Sequence, residues 1–534
     1  MELKCFPDIN KPLDKQNNTA ARIFGNRFLK DQSLYEYLIE FLIIISSAKY
    51  YDEQEGSYKG FFRFHDLTSK DFGYYVNHFI ALRRFIFLDK SKLSKILPID
   101  LFAYSEHCKA MKEYFENKGF PSDNHLTEFI QDLLFGYAVV LKDRNWCAQR
   151  LLPICPELLF TDLMPNINQR NKNKKDNKDK TELSNSIDDV IEADKKFDFD
   201  KRNFLARGGE VYYLHLLEYL SKHENVEQKL FLEKLIYNLL TKNNSKISAL
   251  ARFVQKIWDD YVVASKEQTG VTKESLQRLS LSYIPKDRYS KCEGLAVEEL
   301  INFLNSDFNS IDKMDIFAKG LMLQVFRMMI FAVEDYLVDY AKDNPQSADS
   351  VGRLKSAFSL VIDAGPKCSS MLFKRFSSLN YSKLESSFRT VVSIEEQNGS
   401  PDDRMKNEKS AIKNSYEIIS QKGKEMQFIV PVKGKYTRFT INEDLVKFLV
   451  LSLVPPKSKV TYDQFLDKVY THFHFVIGVV EYSKYCSNDN SSLSNEFKKN
   501  SDVFLELLKN SGFLDELSDA TSIVINPFDS FSKN

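Results

Sequence analysis

The chain has 534 residues, and its 74 lysines and arginines are balanced by 74 aspartates and glutamates, so the formal net charge is zero. Hydrophobic residues are 43 % and charged residues 28 %, an ordinary balance for a globular protein of about two to four domains. A zero balance excludes a chain that is basic throughout, of the kind devoted to coating nucleic acid or an anionic membrane.

Cys5, Cys108, Cys147, Cys155, Cys292, Cys368 and Cys486 form an odd set without framework spacing, which fits a reducing compartment. The opening Met-Glu-Leu-Lys-Cys-Phe-Pro holds no apolar signal core. The apolar run 37–45 is broken by Glu40, and the run 321–333 holds Gln324 and Arg327, so both read as buried helices and not as membrane spans. The expectation is a soluble, cytoplasmic protein.

Taken in order, residues 1–18 read as a loosely held arm. Helical periodicity follows at 27–47, 70–88, 100–117 and 124–141, with an aromatic loop or hairpin, Tyr58-Lys-Gly-Phe-Phe-Arg-Phe, between the first two. Pro153 and Pro156 break 146–160 into short turns. These pieces make an N-terminal helical domain, 1–165. Residues 166–202 are polar and basic, then acidic, and read as a charged linker with too little apolar surface to fold alone. A central helical domain, 203–425, carries helical patterns at 210–221, 226–240, 245–264, 296–305, 315–340 and 347–362. No alternation of strand and helix is visible, so a doubly wound sheet is not expected.

The last segment, 426–534, has the most specific pattern. Lys433-Gly434-Lys435 between two apolar runs signals a hairpin. Asn442 caps a helix with Glu443 and Asp444 in its first turn, stopped by Pro455-Pro456. A short extended piece at 459–461, a helix at 462–473, a third helix at 495–510 and two strands at 513–514 and 522–526 follow. That order is the order of a winged helix. The fold class is therefore mainly α: a multi-domain helical body with a C-terminal winged-helix-like α+β module. Between residues 442 and 528 eight lysines face twelve acids, with no arginine. Phosphate contacts supply most of the affinity of a DNA reader, so protein docking ranks ahead of DNA reading. Lys498 and Lys499 on the third helix are the candidate nucleic-acid contacts.

No catalytic motif, metal site or cofactor site emerges. His472 and His474 point to different sides of one helix, Cys147 and Cys155 lack zinc-site spacing, and His65-Asp66 is an isolated pair. Asp335 and Asp339 suit a solvated helix face. The stretch Phe204-Leu-Ala-Arg-Gly-Gly-Glu opens a helix with paired glycines. Arg207, Gly208 and Gly209 are thus candidate anion or phosphate contacts. The competing reading is close packing of the helix entrance, with Arg207 paired to a carboxylate of the body.

Residues 204–216, with this Arg-Gly-Gly-Glu, and the stretch Leu517-Ser-Asp-Ala-Thr-Ser-Ile-Val-Ile-Asn-Pro resemble accessory proteins of bacterial anti-phage defence operons, of the Druantia type. The resemblance implies a component of a multi-protein antiviral system, and the absence of a catalytic motif makes a non-enzymatic interaction subunit, docking partners through its C-terminal winged helix, the leading expectation. Its implied partners are other proteins of the same operon, a helicase-like protein among them, with nucleic-acid contact as a secondary role. Two readings stay open beside it: a winged-helix DNA-binding regulator, and a metal-dependent nuclease whose carboxylates meet only in the fold.

Overall fold

The computed structural model describes residues 5–8, 18–67, 72–88, 97–121, 125–140, 145–161, 163–165, 186–198, 208–223, 225–242, 244–265, 276–347, 357–367, 369–397, 401–485, 491–516 and 522–531. Helix dominates, as the periodicity predicts, and the sheets are small.

The molecule is built around helix Ser310–Asp343, 34 residues long. The Asn309 side chain accepts from the Ile311 and Asp312 amides and so starts it. Its middle, residues 320–333, is buried on all sides and apolar except for Gln324 and Arg327, which suits a helix enclosed by protein. Among the described residues it alone is long and apolar enough to cross a membrane, and its most apolar stretch is 94 % buried inside the protein. Helices Leu34–Ser46, Gly208–Lys222, Met371–Glu395 and Glu443–Leu453 pack against it. Gly320 makes one of these approaches possible: a Cβ there would lie 2.0 Å from the Phe448 ring.

Residues from all three expected domains share one principal core, among them Leu38, Leu214, Met322 and Phe448. Residues 186–198, expected within the charged linker, contain helix Ile187–Asp194 instead. Ser186 caps it in a capping box with Asp189, and Ile187, Val190 and Ala193 are buried against helix Pro98–Asn117 and Trp258. Three apolar residues at helical spacing are enough to dock a short helix, although too few to fold one alone. The remainder of the expected linker, 166–185 and 199–202, lies outside the described residues.

A second difference concerns 347–362, expected to be helical. Residues 348–356 are outside the described set, and Leu360–Asp363 is a strand buried along its whole length. It is the hub of a four-stranded sheet. Arg438–Thr440 and Phe475–Val476 flank it in parallel, and Ile429–Val430 closes one edge antiparallel to Arg438–Thr440. The chain leaves this strand through helix Met371–Glu395, returns on one side as Arg438–Thr440, and crosses to the other side as Phe475–Val476. A small parallel sheet with helical crossovers is therefore present where none was expected.

The C-terminal region follows its expected order with one insertion. Helix Glu443–Leu453, strand Lys459–Thr461, helix Tyr462–Phe473, helix Ser491–Asn510 and strands Leu514–Glu516 and Ser522–Ile525 succeed one another. Asn442 caps the first helix through the Leu445 amide. The three strands form an antiparallel sheet with Ser522–Ile525 in the middle. Strand Phe475–Val476 and helix Val479–Tyr485 are inserted between the second and third helices, and this insertion supplies the edge of the parallel sheet.

Candidate functional site

In open parallel sheets ligands gather at the carboxyl ends of the strands, where the chain direction diverges. Here that place is the turn after Asp363. The Asp363 carboxylate is fully buried, receives Arg438 Nε at 2.6 Å and accepts from the Ser369 hydroxyl and, at 3.3 Å, the Gly365 amide. Arg438 also donates to the carbonyls of Pro366 at 3.3 Å and Tyr436 at 3.1 Å. One buried ion pair thus ties the turn after the central strand to the loop before its neighbour.

Asn500, on helix Ser491–Asn510, completes the junction. Its Oδ1 accepts from the Ala364 amide, and its Nδ2 donates to the carbonyls of Ile362 and Ile477, all at 2.9 Å. Val503, one turn on, fills the space over Gly365, where a Cβ would lie 2.6 Å away. A cavity of about 120 Å³ remains, lined by Gly365, Ser369, Ser370, Phe373, Glu496, Lys499, Asn500 and Val503. Helix Met371–Glu395 begins at this cavity, with Ser370 Oγ accepting from the Phe373 amide at 3.1 Å. Lys499 is exposed and lies 3.4 Å from Glu496. Among the described residues at this cavity no nucleophile is paired to a histidine. The arrangement suits binding of a small polar or anionic group.

Of the residues singled out from sequence, Lys499 lies at this cavity and Lys498 is exposed beside it. Gly208 and Gly209 lie elsewhere, at the start of helix Gly208–Lys222 against helix Leu34–Ser46. The amides of Gly209 and Glu210 donate to the buried Glu40 carboxylate at 3.0 and 3.2 Å. The anion at this helix start is thus a side chain of the protein. A Cβ on Gly209 would lie 2.2 Å from the Tyr37 carbonyl oxygen, so the backbones touch. Arg207 lies outside the described residues. The signal for the cavity was the run Leu360-Val-Ile-Asp before Ala-Gly-Pro, a β-branched stretch closed by turn residues.

A second cluster of buried charge lies on the central helix. Arg327, on the central helix, holds Glu299 through two parallel bonds of 2.7 and 2.9 Å. Gln324 Nε2 donates to the same carboxylate at 2.6 Å, as does His472 Nδ1 at 2.7 Å. Burial alone would raise the Glu299 carboxyl, but the Arg327 charge and the hydrogen bonds from His472 and Arg327 hold it below its ordinary value. His65 bonds Tyr213 and the Gly73 carbonyl inside the core. Among the described residues no group of three His, Cys, Asp or Glu is placed to hold a metal ion. No protein-family model matches the sequence, and no curated protein or solved structure is significantly similar to it.

Proposed function

We propose that this chain is a non-enzymatic interaction subunit of a bacterial multi-protein antiviral system, acting in the cytoplasm by docking partner proteins. The observation that carries the reading is a row of exposed apolar side chains on one face of helix Val226–Thr241. Val226, Leu230 and Tyr237 are 61 %, 49 % and 49 % exposed. At 100° per residue they fall within about 40° of one another and run about 16 Å along the helix. The Tyr237 ring meets Phe62 at 5.1 Å, and Phe61 beside it is also exposed, which widens the stripe. Clustered apolar exposure of this kind marks protein contact surfaces. The link to a Druantia-type system rests on the resemblance of the 204–216 and 517–527 stretches.

The C-terminal module is read as a winged helix, supported by its element order and by the position of Ser522–Ile525 between the other two strands. Its third helix favours a fixed role over independent DNA reading. One side packs on the parallel sheet through Asn500 and Val503, and the exposed side mixes Lys498 and Lys499 with Asp502 and Glu506. Nucleic-acid contact at Lys498 and Lys499 remains a secondary part of the reading.

Co-expression with the proteins encoded beside it tests the proposal. The full chain should co-elute with at least one of them, and Leu230→Glu with Tyr237→Glu should release it while the melting temperature holds. Elution of the chain alone, or a complex indifferent to both changes, would contradict docking through this stripe.

A further inference from the structure

We infer that the phosphates of a nucleic acid lie across a composite basic surface around the Asp363 turn, with one phosphate seated in the cavity beside Ser370. The inference rests on the nucleic-acid contact in the reading above and moves it from one helix to a surface assembled from three segments.

The first observation is charge. The chain is neutral as a whole, yet segments 366–375 and 431–438 carry six cations and no anion. The exposed cations Lys367, Arg375, Lys433, Lys435, Lys498 and Lys499 come from segments that the fold brings to one place. Arg438 gathers the carbonyls of Pro366 and Tyr436 on one guanidinium, so the backbones carrying Lys367 and Lys435 adjoin. Asn500 fixes helix Ser491–Asn510 to the same turn, which puts Lys499 at the cavity with Ser369 and Ser370. Glu496 and the exposed Asp502 and Glu506 are the anions on this side of that helix, and Asp363 is neutralised by Arg438.

The second observation is the cavity. It has room for a group larger than one water. It opens on the first turn of a 25-residue helix, whose leading amides have no partner within the helix and favour negative charge. Ser370 Oγ accepts from the Phe373 amide and lines the cavity. A polyanion with regularly spaced phosphates satisfies both observations, since it bridges separated cations while one phosphate enters the pocket.

The test uses the full chain and fluorescence anisotropy with a labelled 30-base-pair DNA duplex, the matching single strand, and vesicles rich in anionic lipid. One form of DNA should bind at low salt. The pairs Lys433→Glu with Lys435→Glu and Lys498→Glu with Lys499→Glu should each weaken binding at least tenfold and lower the salt slope by about two. Ser370→Asp keeps an equivalent helix cap but puts a negative charge in the cavity, and should also weaken binding at least tenfold. Lys246→Glu with Lys256→Glu, on helix Ser245–Ser265, should change nothing. DNA binding indifferent to the two reversals or to Ser370→Asp, no binding of either DNA at low salt, or binding of vesicles in place of DNA would overturn the proposal. Partner co-elution is read separately, so its loss or survival tells the docking proposal apart from this one.

Discussion

Residue by residue, the molecule separates charges that hold it together from charges that face outward. Arg327 and Glu299 join the central helix to helix Glu293–Asn305, and His472 ties in helix Tyr462–Phe473. Arg327→Leu strands a buried carboxylate, and removing one partner of a buried pair costs about 3–5 kcal/mol. Denaturant unfolding should show a loss of that size, and a loss below about 1 kcal/mol would mean that the network carries little. The same pair sets an acid sensitivity. Glu299 is held below its ordinary value, so its stabilisation is complete above the unfolded carboxyl pKa of about 4.3 and fades as pH falls through the folded value. Glu299→Gln should therefore flatten the stability–pH curve below about pH 4.5 relative to the parent, and an unchanged curve there would contradict the assignment. Gly209 gives a third test at this scale. A methyl group there meets backbone atoms of Tyr37 and Phe41, which cannot swing aside. Gly209→Ala should destabilise by about 1–3 kcal/mol or more. The glycine pair was legible in the sequence as a special helix entrance. Its partner Glu40 lies 169 residues away along the chain, and no local pattern reveals it.

Among the elements, long periodic helices were legible and short ones depended on tertiary partners. Helices Val226–Thr241 and Ser245–Ser265 were expected at 226–240 and 245–264, because caps and apolar spacing are local properties. The strand Leu360–Asp363 was not, because three apolar residues and an aspartate buried on both faces are too short a run to carry the helical or the alternating period. The candidate cavity went unseen with it. Helix Ile187–Asp194 was hidden for another reason: its acidic surface masks three apolar contacts and the Asp194–Arg84 bond of 2.6 Å. Amide exchange should show protection across 187–194, and Val190→Asp should abolish it locally without unfolding the rest. Exchange in the parent at the rate of an unstructured peptide would return this segment to the linker.

For the whole molecule, the C-terminal module is stitched into the body. Asn526 Nδ2 donates to Ser306 Oγ at 2.9 Å, Asn302 donates to the Ser452 carbonyl at 3.0 Å, and strand Asp529–Ser530 pairs with Ser306–Asp307. With one principal core, the described segments should unfold together. Calorimetry should give a single main transition, and a separate early transition assigned to 426–534 would argue for an independent module. The module's order was legible because each element carries its own cap or turn. The basic surface was not, because its lysines are scattered among acids in sequence and meet only where Arg438 and Asn500 join three segments. The proposed docking of another protein on an outer helix face has a direct readout in solution. Hydrogen exchange on the chain alone and in complex with its co-purified partner tests it most directly. Docking on this face should give new protection at 226–241 and at 61–62 on complex formation. Protection confined to other surfaces, with 226–241 unchanged, would contradict it.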